Sequence, residues 1–331
     1  MSFNSVVGQE KPINHLIKTI RDEKISSSYI FNGKEGVGKK KIAIEFAKCI
    51  NCLNVKEKDQ SCDKCSLCKK IDLNCCPDIK IIKPEKDSLK IGQIREFRNE
   101  IYVKPFECKK KVYIFENAEA LTIEAANCLL KIIEEPPEYA IIILICSNIQ
   151  SILPTILSRC QVIFFGELST MEIEKILLKN NNLSKNKINI ISKIARGSIG
   201  NAYNMIDDHD FLIRRDRLFN QLTKIVPGEI DIEMLNRVEK IFSEINEAKE
   251  IIEMIILWYR DLLLLKVVNN QKYIVNEDWV KMLSEKAILY RKTMLIDILN
   301  YLLLAQEYLK RNANKNILLE SLVIKLSGVV Y

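Results

Sequence analysis

A glycine-rich stretch at residues 33–40, GKEGVGKK, nearly matches the pattern G-x-x-x-x-G-K-[ST] of a phosphate-binding loop. In that pattern the backbone N–H groups face phosphate oxygens, the lysine reaches the β- and γ-phosphates, and the Ser or Thr hydroxyl binds Mg²⁺. The residues that fit are Gly33, Gly36, Gly38 and Lys39. Lys40 replaces the hydroxyl, and an ammonium has three donors and no acceptor, so it cannot bind a metal ion. The stretch predicts a phosphate site without its full metal chemistry.

The segments on both sides of this loop have the order that such a site requires. Residues 29–31 are a short apolar strand that leads directly into the glycines. From residue 39 to about residue 51, apolar residues recur at helical spacing. A strand, a glycine loop and a helix in this order place the N-terminus of the helix at the phosphates. We therefore interpret residues 33–40 as a phosphate-binding loop and not as a plain turn.

A second candidate site is the end of the predicted strand 111–115, which is followed by Glu116 and Asn117. Glu116 stands where an ATPase with this loop places the acid that holds Mg²⁺. In most ATPases of this class a second acid follows and activates water, whereas the amide of Asn117 cannot act as a general base. A strand that simply ends here predicts the same lack of hydrolysis.

Cysteines with metal-ligand spacing follow the predicted helix, in the pattern C-x9-C-x2-C-x2-C within a polar stretch. The predicted ligands are Cys52, Cys62, Cys65 and Cys68. Four thiolates brought together by short loops suit a closed, tetrahedral and structural Zn²⁺. Three neighbours could substitute as ligands, and we rank them as bystanders: Cys49, Cys75 and Cys76. The alternative is a surface cysteine cluster without metal.

The composition limits the class of protein. The chain has 331 residues, of which 48% are hydrophobic and 28% charged, enough for two or three domains. Its net charge of +7 is below the strongly basic balance typical of nucleic-acid-binding proteins. Eleven cysteines favour a reducing compartment over a disulfide framework. With no secretory signal and no apolar run long enough for a membrane span, we expect a cytoplasmic protein that does not contact membranes.

The order of predicted elements indicates the fold. Strands and helices alternate up to about residue 166, which predicts an α/β domain with a parallel sheet and sites at the carboxyl ends of its strands. The glycine loop, Glu116-Asn117 and Ser147-Asn148 all fall at such ends. Beyond residue 166 the patterns are helical, with long helices predicted at 211–225, 230–264, 282–308 and 316–329. We predict domains at 1–166 (with a cysteine insertion at about 52–76), 167–208 and 209–331.

These motifs, in this order, resemble clamp-loader subunits of the AAA+ class. The resemblance rests on Val7-Gly8-Gln9-Glu10, the glycine loop, the inserted cysteines, the strand before Glu116 and residues 153–160, LPTILSRC. It covers essentially the whole chain. The fold that it implies is an α/β P-loop (AAA+) domain with a zinc insertion, followed by a small helical lid and an all-α C-terminal collar that supports oligomerisation.

The resemblance also implies a role for Ser158-Arg159-Cys160. In the family this motif lies at a subunit interface, and its arginine acts as an arginine finger in the ATP site of a neighbour. Carried over, Arg159 is the finger, and its planar, permanently charged fork suits two phosphate oxygens. The alternative is an arginine that is solvated or paired within its own domain.

Three departures from the active ATPase subunits of the family, tau/gamma, have the same direction. Those subunits keep a Ser/Thr after the loop lysine, an Asp-Glu pair and a sensor arginine, where this chain has Lys40, Glu116-Asn117 and Gly200. The resemblance therefore implies a subunit without its own ATPase activity, with ATP and Mg²⁺ binding doubtful. Its partners would be tau/gamma and delta subunits in a heteropentamer, acting on a sliding clamp and primed DNA.

Two other functions stay open from the sequence. The chain could be an active clamp-loader ATPase in which Lys39 and Glu116 suffice. It could also be a zinc-dependent nucleic-acid-binding protein unrelated to ATP, for which the charge of +7 gives little support.

Overall fold

The computed structural model describes residues 3, 6–55, 60–180, 183–227, 248–268 and 270–310, together with 318, 321, 322, 325 and 326. The chain divides into two compact units. The first comprises Met1–Asn180 and Arg196–Asn201, and the second comprises Asn181–Ala195 and Ala202–Tyr331. In the described part of the chain, no helix has the length and apolar character needed to cross a membrane. The predicted three-domain boundaries stay a prediction.

A five-stranded parallel sheet forms the centre of the first unit, in the order β2-β3-β4-β1-β5. The strands are β1 (Ser28–Asn32), β2 (Ile79–Ile82), β3 (Lys111–Phe115), β4 (Ala140–Cys146) and β5 (Gln161–Phe164). Every residue of β3 and β4 is buried. Such nearly continuous apolar runs are typical of parallel strands that are covered on both faces. The predicted parallel α/β sheet is confirmed.

Helices cover both faces of this sheet. They are α1 (Glu10–Arg21), α2 (Lys39–Asn51), α3 (Ser66–Asp72), α4 (Ile91–Ile101), α5 (Ile123–Glu134), α6 (Pro154–Leu157) and α7 (Thr170–Asn180). Successive strand residues point to opposite faces, so Phe31 packs in a cluster with Leu16 and Phe46, and Ile30 packs in another with Leu129. Helices α1 and α2 therefore cover one face, and α4 and α5 the other.

The remaining helices are α8 (Lys185–Ile194), α9 (Ile199–Asp207), α10 (Phe211–Leu222), α11 (Ala248–Val267), α12 (Val280–Leu289) and α13 (Lys292–Lys310). In the second unit, Trp258 and Tyr259 of α11 are almost fully buried in an apolar core. Part of the predicted helix 230–264 and most of 316–329 lie outside the described residues.

The predicted single helix at 282–308 is wrong, because the chain forms α12 and α13 with a break at Tyr290. The backbone of Tyr290 is extended, with φ −93° and ψ 143°. This conformation lets the Tyr290 ring enter the core, where it meets the Tyr259 ring edge-on at a centroid distance of 5.8 Å. Burial of an aromatic ring thus outweighs the helical propensity of the segment.

Candidate functional site

The glycine loop connects the carboxyl end of β1 to the N-terminus of α2. Gly36 and Gly38 adopt left-handed backbone conformations, with φ of 76° and 100°. Other residue types rarely adopt this conformation, which explains the glycines at these two positions. Helix α2 then begins at Lys39, as the sequence predicts. The local chain therefore has the shape of a phosphate-binding loop.

The two lysines of the loop have partners within the chain. Lys39 is only 6% exposed, and its Nζ donates to the carbonyl oxygens of Gly33 and, at 2.7 Å, of Lys34. Burial lowers the pKa of Lys39, partly offset by the charges of nearby acidic groups. The Nζ of Lys40 lies 2.7 Å from Oε1 of Glu116. The ammonium of Lys40 thus already binds the carboxylate that a metal ion would need.

The groups around the loop do not fit a Mg²⁺-bound nucleotide. Magnesium needs oxygen ligands, and position 40 offers an ammonium instead. A cavity of about 340 Å³ beside the loop is lined by Lys39 and by three acids, Glu35, Asp87 and Glu119. Three carboxylates against one ammonium disfavour a phosphate that has no metal ion beside it. Shape alone does not make this loop a nucleotide site.

Ser147 and Asn148, which the sequence analysis places at the end of a strand, form local hydrogen bonds. The amide of Ser147, at the end of β4, donates to Glu119 at 2.9 Å. Asn148 Oδ1 accepts from the Gln150 amide at 3.0 Å and begins the 3-10 helix Ile149–Ser151. Asn117 adopts a left-handed conformation with φ 52°, which asparagine tolerates better than most residues.

The segment around Gly200 packs directly on the loop. The Gly200 amide donates to the Gly36 carbonyl at 2.9 Å. A Cβ atom on Gly200 would lie 2.8 Å from the Cα atom of Gly36, which is closer than real Cβ contacts. The fully buried Ser198 fills the space beside Gly36. In this arrangement the loop leaves no room for any side chain at position 200, and a sensor arginine least of all.

Sequence reasoning did not assign a task to Gln9, which ties the loop to the chain after β5. Its Nε2 donates to the carbonyls of Gly166 at 2.6 Å and Val37 at 3.4 Å, and its Oε1 accepts from the Gly166 amide at 3.1 Å. Gln9 is almost completely buried. The available signal was its place in the motif Val7-Gly8-Gln9-Glu10. A buried side-chain amide needs hydrogen-bond partners, and the loop and the chain after β5 supply them here.

Arg159 follows α6 and lies at the surface, with 41% of its side chain exposed. Its Nη1 donates to the Thr155 carbonyl and to Ser158 Oγ, each at 3.1 Å, and its Nη2 lies 3.0 Å from Oε1 of Glu134. Burial raises the pKa of Cys160 to about 12, so its thiol stays protonated at neutral pH. Within this motif, Arg159 is the group that can act on an anion.

The four predicted cysteine ligands come together after α2. The sulfur atoms of Cys52, Cys62, Cys65 and Cys68 all lie within 4.8 Å of one another. A tetrahedral zinc site with bonds of about 2.3 Å places its sulfur atoms about 3.8 Å apart, so small movements would complete it. Backbone N–H groups of residues 62, 65 and 68 donate to cluster sulfurs at 3.3 to 3.4 Å. The cluster could hold a metal ion.

Acidity within the cluster differs between sulfurs. Hydrogen bonds from the Lys64 and Cys65 amides lower the pKa of Cys62 to about 6. Burial raises the pKa of Cys68 and of Cys52. A bound cation would favour all four thiolates together, because metal ligands must be deprotonated.

The three substitute cysteines are not in this cluster. Cys75 is exposed, Cys49 is buried in α2, and Cys76 Sγ lies 3.5 Å from Cys108 Sγ.

Lys48 is a residue that sequence reasoning missed, and it joins α2 to the cysteine insertion. Its side chain is only 1% exposed and lies 2.6 Å from Asp63, 3.0 Å from Asp72 and 3.3 Å from Glu45. Asp63 and Asp72 belong to the insertion, whereas Glu45 lies on α2. The available signal was the Glu45–Lys48 spacing of three residues, which alone would indicate an ordinary surface pair.

The sheet order, the glycine loop between β1 and α2 and the helical C-terminal region define an AAA+-like fold. The family model "DNA polymerase III, delta subunit" matches residues 8–169, and its C-terminal counterpart matches residues 209–328. Together they cover most of the chain, which therefore belongs to the family of DNA polymerase III clamp-loader subunits. The predicted family is confirmed.

Two curated proteins and one solved structure are among those similar to this chain. The chain is 28% identical over 327 residues to DNA polymerase III subunit delta' of Bacillus subtilis, covering 96% of each. It is 36% identical to subunit gamma/tau of Mycoplasma genitalium over 62% of this chain and 35% of that protein. A solved gamma subunit-related protein of Thermotoga maritima has a TM-score of 0.45 at 17% identity, covering 89% of this chain and 99% of that one. The chain is a delta'-like clamp-loader subunit.

Proposed function

We propose that this chain is a non-catalytic subunit of the clamp loader. It would act with tau/gamma and delta subunits in a heteropentamer that places the sliding clamp on primed DNA. The observation that best supports this is the ion pair, at 2.7 Å, between Lys40 of the glycine loop and Glu116, which follows β3. With the metal ligand replaced by an ammonium, and Asn117 unable to act as a base, the loop lacks the groups for hydrolysis.

We further propose that Arg159 is an arginine finger for the ATP site of a neighbouring subunit. Its guanidinium is partly exposed: the Thr155 and Ser158 oxygens hold Nη1, and Nη2 pairs with the exposed carboxylate of Glu134, a surface ion pair that can open. The planar fork can then stabilise the charge on a phosphoryl group during transfer. Ser158 and Cys160 would support the backbone around it.

The cysteine cluster, in this proposal, holds a structural Zn²⁺. All four ligand positions are thiols, and a site closed by four protein ligands leaves no position for substrate. Zinc would cross-link the segments of the insertion. Independently of zinc, the ion pairs of Lys48 with Asp63 and Asp72 connect the insertion to α2.

Reconstitution of the complex tests this function. We expect no ATP hydrolysis by the isolated chain, and hydrolysis by the complex with its partners. Arg159→Ala should slow hydrolysis at the one neighbouring site, by at most the order of 10³–10⁵ seen for arginine fingers. The other sites continue, so the total rate falls less. Lys131→Ala, which removes an exposed positive charge from α5, is the matched control and should be unchanged.

The outcomes separate the alternatives. Hydrolysis by the isolated chain would favour an active ATPase. A complex with Arg159→Ala that hydrolyses ATP and loads clamps like wild type would contradict the finger. Tight DNA binding by the isolated chain that falls steeply with salt would favour a nucleic-acid-binding module.

A further inference from the structure

The arginine that would serve a neighbouring subunit already has an acidic partner in its own chain. Oε1 of Glu134, the last residue of α5, lies 3.0 Å from Nη2 of Arg159. Both side chains are exposed to nearly the same degree, 41% and 42%. Pro136 and Pro137 follow after Glu135 and stop the helix from continuing, so Glu134 stands at a defined end. The ion pair lies at the surface and can open without disturbing the core.

This ion pair conflicts with the binding of phosphate. A guanidinium holds phosphate through a fork of two parallel N–H donors, and Glu134 occupies one terminal nitrogen of that fork. A carboxylate left beside the phosphoryl group would also repel it. Nη1 differs, because its partners are the neutral oxygens of Thr155 and Ser158. Glu134 must therefore leave before Nη2 of Arg159 can bind a phosphoryl group without a competing carboxylate.

We propose that Glu134 is a latch on the arginine finger, an inference that rests on the finger role proposed for Arg159. In the free chain Glu134 holds the guanidinium against its own domain. In the complex, the nucleotide of the neighbouring subunit competes with Glu134 and displaces it. Glu134 is thus a positioning residue that acts through Arg159. Because exposed ion pairs are weak, the latch biases the arginine toward its resting position and does not block it.

The test is a single-turnover measurement of ATP hydrolysis by the reconstituted complex. Glu134→Gln keeps the size of the side chain and removes its charge. We expect the rate at the one neighbouring site to rise by about 1.5- to 5-fold, the range that corresponds to an exposed ion pair, with a smaller rise in the total rate. Glu135→Gln removes the adjacent exposed carboxylate and should leave the rate unchanged. Rates are expressed per assembled complex, with assembly measured by size-exclusion chromatography, so that a change in assembly is not mistaken for release of the arginine.

A double variant makes the test specific. If Glu134 acts only through Arg159, Glu134→Gln combined with Arg159→Ala should be as slow as Arg159→Ala alone. The latch is overturned if Glu134→Gln matches Glu135→Gln, if it slows the complex, or if it still accelerates hydrolysis without Arg159. The proposed function fails separately, if Arg159→Ala does not slow the complex at all.

Discussion

Helix α2 and the segment Ser158–Cys160 both carry positive charges, but they satisfy them differently. On α2, Lys39 binds loop carbonyls, Lys40 binds Glu116, and Lys48 is enclosed by three carboxylates. Arg159 has one exposed acidic partner and two neutral ones. The charges of Lys39 and Lys48 are buried within the fold, whereas the side chains of Lys40 and Arg159 are each about two fifths exposed. A cation that serves a partner must be reachable from outside the chain, which the buried Lys39 and Lys48 are not and the exposed ion pair of Arg159 is.

The comparison is tested most severely at the end of α2, where the cysteine cluster begins. Cys68→Ser should remove zinc binding, because a closed four-thiolate site loses most of its affinity with one ligand. We expect about one zinc per wild-type chain and close to none in the variant, by elemental analysis of purified protein. Cys75→Ser is the control, since Cys75 is exposed and outside the cluster. Wild-type protein that is found to contain no zinc after purification would contradict the metal assignment.

Lys48→Met should give the next largest effect. It leaves Glu45, Asp63 and Asp72 without their buried counter-charge, and breaking such a network costs about 3–5 kcal/mol. Denaturant unfolding of the zinc-loaded protein measures this loss. Lys41→Met, an exposed position on the same helix, should change stability by no more than about 0.5 kcal/mol. Equal stability of the two variants would mean that Lys48 is not a structural charge.

The same ion-pair network predicts a pH dependence. Burial lowers the pKa of Lys48, but its hydrogen bond to Asp72 and the charge of Glu45 outweigh burial, so the pKa is raised. A lysine whose pKa is raised by folding contributes its full stabilisation below the unfolded value of about 10.4. On the alkaline side of neutral pH, wild type should therefore lose stability relative to Lys48→Met as the pH rises through the folded pKa of Lys48. A difference that is lost already at neutral pH would contradict this sign.

Gly200→Ala tests whether the loop is closed by backbone packing. The added Cβ would meet Gly36 at 2.8 Å, and relief of such a contact costs about 1–3 kcal/mol. We expect a lower melting temperature for the variant. Gly92→Ala is the control, because a Cβ there meets nothing within 4 Å and Gly92 lies within α4. If Gly200→Ala is as stable as Gly92→Ala, the segment does not seal the loop.

The smallest stability effects are expected for Lys40→Met and Arg159→Ala, and these two variants should differ in function. Lys40→Met and Arg159→Ala each remove one member of an exposed ion pair, which contributes up to about 1 kcal/mol. Thermal unfolding should therefore barely distinguish them. Hydrolysis by the reconstituted complex should distinguish them clearly, since only Arg159→Ala slows it. Equal rates for the two variants would mean that Arg159 serves a neighbouring ATP site no more than Lys40 does.

Local sequence determined the elements that carry the candidate sites. The bounds of β3 and α2 agree with the prediction because continuous apolar runs and helical spacing are local signals. The glycines of the loop were recognisable because left-handed turns require them. The four clustered cysteines were predictable because short spacings bring thiols together. The predicted helix across Tyr290 failed because burial of that ring depends on α11.

Only the tertiary structure decided which side chains meet. Lys40 and Glu116 lie at the ends of different elements, and they pair because the parallel sheet aligns its carboxyl ends. The spacing of Glu45 and Lys48 on α2 indicates an ordinary surface pair, but in the structure the insertion covers Lys48 and supplies Asp63 and Asp72. Arg159 was visible as a motif, whereas its contact with Glu134 depends on how α5 and α6 pack. Residue types and spacing therefore specified the chemistry available to this protein. The fold then determined which charges pair with each other and which of those pairs are buried or exposed, because electrostatic partners are set by distance in space.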